Sequence, residues 1–303
     1  MRVCLMIEGQ EGVTWPQWLG LAEACERAGL EALFRSDHYT GFHGGAAGSL
    51  DAWATVNALA AVTTRIRLGT LVSPASFRHP SVLAKMAVTA AEVSGGRVEL
   101  GLGAGWHDPE HVQHGFPFPP LPERLSRFAE QLEIVHRSWT EEGFDFAGRH
   151  YELRGANPLP KPSPKPNLIV GGSARRGTVE PAVRFADEYN TTFADPETCR
   201  KRRRAVDEAA ARAGREPLVF SLMTGCIVGA DERELEERRR RLAERTGREP
   251  EERSGRTIVG TVEQACERLR EYERAGVERV MLQHLLHDDL ELVELLGRVA
   301  AQA

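Results

Sequence analysis

Cysteine is sparse in this 303-residue chain, and lysine sparser still. Cys4, Cys25, Cys199, Cys226 and Cys266 are odd in number, scattered, and never spaced as CxxC. They offer no disulfide framework and read as reduced, mostly buried thiols of a cytoplasmic protein. The only lysines are Lys85, Lys161, Lys165 and Lys201, so arginine carries nearly all the positive charge. No apolar run approaches the ~20 residues of a membrane helix. The first residues enter a strand pattern directly, so no signal peptide is expected. A positive balance is missing too: the formal charge is −5, which argues against a general nucleic-acid binder. The basic run at 200–204 has Asp207 and Glu208 beside it and reads as a solvated helix face. Neither GxSxG nor Walker A occurs, and no GxGxxG opens the first helix.

What is present is alternation. Apolar strand patterns at 3–7, 30–34, 66–68, 98–103, 168–170, 188–192, 218–228 and 277–282 are separated by helical patterns. The helical patterns cover 15–28, 51–62, 80–93, 123–139, 176–186, 196–213, 231–246, 261–275 and 288–299. Such order implies parallel strands joined by right-handed crossovers. About eight units without a linker predict one domain over 1–303, an α/β protein folded as a (β/α)8 TIM barrel with insertions after strands 4 and 7. An open doubly wound sheet is the alternative, weakened by the missing GxGxxG. Residues 144–153 read as a hairpin turning at Gly148. The Pro- and His-rich stretch 109–122 and the polar stretch 247–256 read as loops shaping substrate access. On helix 231–246, Glu234 with Arg238, Glu236 with Arg240 and Glu237 with Arg241 stand four apart, the spacing of helix ion pairs.

In a barrel the residues after each strand meet at one face. The run 97–106, RVELGLGAGW, ends in Gly103, Ala104 and Gly105, small residues that let backbone N–H groups approach a flat or anionic ligand. Trp106 adds an aromatic wall. Asp37 and His38 follow strand two and suit proton transfer or the polar edge of a heterocycle; a capped turn is the plainer reading. Thr70, Leu71, Val72 and Ser73 follow strand three and suit a platform under a planar ring, or an ordinary turn. Gly171, Gly172 and Ser173 precede a helix, where free N–H groups favour a phosphate, with Arg175 and Arg176 nearby. Asn190 and Gln283 would face the same pocket. His107, His111 and His114 with Asp108 and Glu110 have metal-like spacing. Pro109 and the segment 115–117 argue against the helix this would need, so a substrate lid or loop packing is expected and no metal site.

Taken in order, SDHY (36–39), LGTLVSP (68–74), RHP (78–80), GGRVELGLGAGW (95–106), LIVGGS (168–173), FADEYN (185–190) and VGTVEQACERLREYERAGVERVMLQ (259–283) resemble the bacterial luciferase-like superfamily of flavin- and deazaflavin-dependent oxidoreductases. The similarity is greatest to its coenzyme F420-dependent branch. The resemblance implies a TIM barrel in which Asp37 and His38 border the reactive part of the cofactor. It places Leu71–Val72 where deazaflavin members carry a non-proline cis peptide in a bulge under the ring. Gly103 to Trp106 would line the cofactor, Gly171, Gly172 and Ser173 would hold its phosphate, and Asn190 would sit near them. One departure stands out. Sugar-phosphate dehydrogenases of this group carry Glu directly after the Gly-x-Gly of strand four, where this chain has Trp106; Phe42 also replaces their aromatic residue after the Asp-His pair. Glucose-6-phosphate is therefore not the expected substrate, and an apolar or aromatic one is.

The expectation is a cytoplasmic oxidoreductase moving a hydride between F420 and a small organic molecule, with His38 as proton donor or acceptor and Asp37 orienting it. An FMN-dependent monooxygenase using O2 is the alternative. A non-catalytic flavin-binding barrel is the third reading. A homodimer is common in the family.

Overall fold

The computed structural model describes residues 1–42, 48–247 and 256–302. In chain order the elements are β1 (Arg2–Ile7), α1 (Trp15–Arg27), β2 (Ala32–Arg35), α2 (Ala52–Val62), β3 (Arg67–Pro74), α3 (Pro80–Ser94) and β4 (Val98–Gly103). Then come α4 (Asp108–His114), α5 (Leu121–Thr140), β5 (Phe144–Ala147), β6 (Glu152–Ala156), β7 (Asn167–Gly171), α6 (Arg176–Phe185), β8 (Glu188–Thr192) and α7 (Pro196–Arg212). The chain closes with β9 (Val219–Gly229), α8 (Glu232–Thr246), β10 (Ile258–Thr261), α9 (Val262–Arg274), β11 (Arg279–Gln283) and α10 (Leu290–Gln302). No described helix is long and apolar enough to cross a membrane.

Eight parallel strands close a ring in the order β1-β2-β3-β4-β7-β8-β9-β11, with β11 pairing back to β1. The period of two divides each strand between two cores. Cys4 and Met6 of β1 point inward with Phe34, Ile169, Met223 and Met281. Val3, Leu5 and Ile7 point outward, under the helices. Helix starts carry their own caps: Asp51 accepts from the Ala54 N–H at 2.8 Å, Asp195 from Thr198 at 2.8 Å and Asp231 from Glu234 at 2.8 Å. Gly95 ends α3 at φ 66°, a conformation glycine adopts without a Cβ clash.

Both insertions fall where the sequence places them. After β4 come α4 and, beyond α5, the β5–β6 hairpin, whose turn is closed by the Gly148 N–H on the Tyr151 carbonyl at 2.9 Å. After β9 come α8 and β10, a strand the sequence pattern does not reveal. β9 is eleven residues long; its first half closes the barrel and its last four residues pair with β10.

Two local expectations are corrected. The stretch expected as loop contains helix α4: Pro109 falls in its first turn, where a missing N–H costs nothing, and Gly115 (φ 71°) stops it. On α8 only Glu234–Arg238 of the three expected pairs forms, at 3.0 Å. Arg240 instead takes Glu237 and Glu244, and Arg241 and buried Arg238 reach Asp289 before α10. Arg238 and Arg241 are long enough to share the buried Asp289, while Arg240 stays with exposed carboxylates of its own helix. Of the loop read at 247–256, residues 248–255 lie outside the described residues.

Candidate active site

The C-terminal strand ends open into one cavity of about 940 Å³. Of the residues singled out above, His38, Leu71, Val72, Gly103, Ala104, Gly105, Trp106, Gly171, Gly172, Ser173, Asn190 and Gln283 line it. Asp37, Thr70 and Ser73 do not.

The turn from β7 into α6 forms a cradle. Gly172 is packed so closely that a Cβ would stand 2.4 Å from the Tyr189 hydroxyl and 2.7 Å from Thr178 Oγ1. That hydroxyl in turn accepts from the Ala174 N–H at 2.9 Å. No side chain caps the start of α6, and its N-cap residue, Arg175, lines the cavity. Beside the cradle, Asn190 Nδ2 donates to Ser221 Oγ at 2.9 Å, while its buried Oδ1 has no partner.

A bulge on β3 forms the platform. The β3–β4 register shifts between Thr70 and Ser73, and the Leu71–Val72 peptide is cis. The Val72 side chain fills the space left by three glycines. A Cβ on Gly101 would meet Val72 Cγ1 at 2.9 Å, one on Gly103 would meet Cγ2 at 2.6 Å, and one on Gly171 would meet Cγ1 at 3.1 Å. The missing side chain of Gly103 thus makes room for Val72, while Gly103 itself still lines the cavity.

Behind the platform Asp37 is buried and bonded through one of its carboxylate oxygens. Its Oδ2 accepts from Ser73 Oγ at 2.6 Å and from Arg78 Nη1 at 2.6 Å, and Arg78 Nη2 bridges to Asp51 at 2.8 Å. Trp53 Nε1 donates to Ser73 Oγ at 3.0 Å, and Thr70 Oγ1 donates to the Gly101 carbonyl at 3.3 Å. Asp37, expected at the reactive centre, is instead a buried anchor for the bulge, because successive residues leave a strand end on opposite faces.

His38 is the titratable group that faces the cavity from β2. Its Nδ1 stands 2.8 Å from Glu110 Oε1 on α4, and Glu110 Oε2 accepts the Tyr39 N–H at 3.0 Å. Burial disfavours the imidazolium, but the bond and charge of Glu110 outweigh it and raise the His38 pKa above the usual imidazole value. Burial likewise opposes ionisation of Glu110, yet His38 and the Tyr39 N–H hold its pKa below the ordinary carboxylate range. With Nδ1 bound to Glu110, Nε2 is the nitrogen left for exchange. Phe42 and Trp106 meet His38 edge-on, at 4.8 and 5.7 Å between ring centroids, and Trp106 is 65% exposed at the mouth.

The His cluster after β4 does not converge. His111 Nε2 lies 2.7 Å from Ser76 Oγ and its Nδ1 lies 2.7 Å from the His107 carbonyl, while Glu110 belongs to His38. Among the described residues no group of three metal-ligating side chains comes together. Sequence reasoning missed Glu8 and His284, which also line the cavity. His284 is buried, neither of its ring nitrogens has a hydrogen-bond partner among the described residues, and burial lowers its pKa to about 4. The available signal for Glu8 was its place directly after β1; for Glu110 it was the proline one residue before it, a helix-start residue.

A family model described as luciferase-like monooxygenase matches residues 3–279. An F420-dependent glucose-6-phosphate dehydrogenase of Microbacterium testaceum is 34% identical over 195 residues, 63% of this chain and 57% of that protein. The chain spans about half the length of the curated relatives it matches. An F420-dependent secondary alcohol dehydrogenase, solved with an F420-acetone adduct, superposes with a TM-score of 0.85 at 19% identity, covering 100% of this chain and 99% of that one. A monooxygenase of Streptomyces bottropensis superposes with a TM-score of 0.82 at 22% identity, covering 100% and 98%. The two superpositions show a shared barrel.

Proposed function

Because this chain belongs to the luciferase-like monooxygenase family, we propose that it is an oxidoreductase exchanging a hydride between the deazaflavin coenzyme F420 and a small organic substrate. One observation carries the reading. The His38–Glu110 pair after β2, the Leu71–Val72 bulge on β3 and the cradle after β7 all face one cavity. The F420-dependent relative from Microbacterium testaceum supports the choice of cofactor.

The residues present fit a planar, phosphate-bearing group. The uncapped α6 start with Arg175 offers donors to an anion, and the unpartnered Asn190 Oδ1 offers an acceptor beside it. Gly171, Gly172 and Ser173 would hold the phosphate, Leu71 and Val72 would lie under the ring, and Gly103 to Trp106 would run along it. Bound there, a deazaflavin supplies a carbon that gives or takes hydride. His38 holds the proton at Nε2 that reduction of the substrate consumes or its oxidation releases. Glu110 fixes the tautomer through Nδ1, and Asp37 positions the bulge through Ser73 and Arg78. Phe42 and Trp106 give an apolar substrate a stacking surface.

The test is a fluorescence titration of the protein, made in a host without deazaflavin, against F420 and FMN separately. Saturable F420 binding, micromolar or tighter, with much weaker FMN binding and turnover without oxygen, is the expected result. Tight binding of FMN alone with stoichiometric O2 uptake overturns it in favour of a flavin monooxygenase. Tight binding without turnover of any donor or acceptor leaves a non-catalytic barrel.

A further inference from the structure

Glu8 has no part in the reading above, yet it is the single carboxylate among the described residues lining the cavity. It follows β1 and is 9% exposed. Gln10 Nε2 donates to its Oε2 at 2.7 Å, and Gln283 Nε2 donates to its Oε1. Gln10 is itself held, since Ser36 Oγ donates to its Oε1 at 2.5 Å while accepting the Gly9 N–H at 3.1 Å. Two neutral amides thus fix the carboxylate from both oxygens. No described lysine or arginine pairs with it. Of the nearby cationic groups, Arg35 spends its guanidinium on the Ser36 and Leu50 carbonyls and on Thr55, and His38, close enough to feel the Glu8 charge, bonds through Nδ1 to Glu110 instead. Buried carboxylates ordinarily carry a cationic partner, and two amide donors leave acceptor positions open.

The cavity is also polarised. Arg175 is the single lysine or arginine among the described lining residues, and it stands at the cradle after β7. Glu8 follows β1, four strands away in a ring of eight, so the two face each other across the barrel mouth. An anion is attracted to the first wall and repelled by the second. Between them lie Phe42 and Trp106, an apolar surface.

We propose that Glu8 is the specificity-determining acceptor of the substrate pocket. It takes an aryl or alkyl molecule presenting an N–H or O–H donor, a protonated amine most tightly, and turns away carboxylates and phosphate esters. The inference rests on the reading of the cradle as the cofactor's end, which leaves the Glu8 wall to the substrate.

Calorimetric titration of the full chain with benzylamine, benzyl alcohol and benzoate, with and without F420, tests it. Benzylamine is expected to bind at least about tenfold more tightly than benzoate. Glu8→Gln should bring the two within about twofold, while Glu8→Asp, which keeps the charge, should retain the preference. The proposal falls if benzoate matches benzylamine on the unaltered protein, if none of the three probes binds saturably, or if Glu8→Gln keeps the preference. F420 affinity, followed by its own fluorescence, reports on the cofactor reading. Failure of F420 to bind beside a Glu8-dependent preference sinks the cofactor reading and leaves Glu8 as a ligand acceptor without the assignment of its wall to the substrate.

Discussion

The two ends of the barrel treat buried charge in opposite ways. At the N-terminal ends of the strands, Arg279 is enclosed and bonded to Glu31, Glu99 and Glu188 at 2.7–3.0 Å. Asn167 adds donors to Glu99 and Glu188 at 2.9 and 3.1 Å, and Arg67 also pairs with Glu99. Burial alone would raise the Glu99 pKa, but Arg279 reverses this and lowers it to about 2. At the C-terminal ends, among the described residues, Glu8 is bonded by no lysine or arginine, Asn190 Oδ1 has no donor and the His284 ring nitrogens have no hydrogen-bond partner. The floor closes its charges around one arginine, leaving Glu188 Oε1 as its unmatched oxygen among the described residues, whereas the unmatched groups at the other end line a cavity where a ligand can complete them.

The contrast is tested most severely at the floor. Arg279→Met should destabilise the fold by roughly 3–5 kcal/mol, since Glu99 and Glu188 would lose their shared cation. Chemical denaturation measures it, and a loss below about 1 kcal/mol would show that the floor does not hold the barrel together. At the other end the effect should fall on chemistry. His38→Asn should lower turnover on the order of a hundredfold, a loss well beyond the modest fall in denaturation midpoint that follows from weakening the bond to buried Glu110. An equal loss of F420 affinity would make His38 a binding residue. The pH dependence has a definite sign. Because its folded pKa is raised, His38 stays protonated above the usual imidazole value, so substrate reduction should fall only as pH rises through that higher value. Glu110→Gln should move this limb to lower pH, read from the kcat profile. The smallest expected effect lies within the platform. Gly103→Ala should cost roughly 1–3 kcal/mol by pushing on Val72, and Val72→Ala in the same chain should recover most of it in a double-mutant cycle.

Most of the fold was legible because eight strands repeat one pattern, and a strand-end rule then gathers residues far apart in sequence. It brought His38, the bulge, Gly103 to Trp106, the cradle and Asn190 to one cavity. What it missed was decided by direction and by distant packing. Asp37 and His38 are neighbours in sequence, yet one turns behind the bulge and the other into the cavity. Glu110 stood in a stretch whose prolines and glycine suggested a loop, when Pro109 marked a helix start. Departure from the sugar-phosphate pattern at Trp106 implied a missing acid, whereas Glu110 brings one to His38 from a turn further on. β10 is too short to announce itself, and only the overhang of β9 gives it a partner.

Val72 and the glycines at 101, 103 and 171 have a consequence for how such a chain can change over generations. Three glycines on two strands, β4 and β7, leave one empty volume, and Val72 from β3 fills it. A larger residue at any of the three glycines is held back by Val72, and at Gly101 by the Thr70 carbonyl as well. Residues at the exposed mouth, such as Trp106, are under no such joint constraint. A lineage can therefore explore new substrates at the rim while its platform stays fixed.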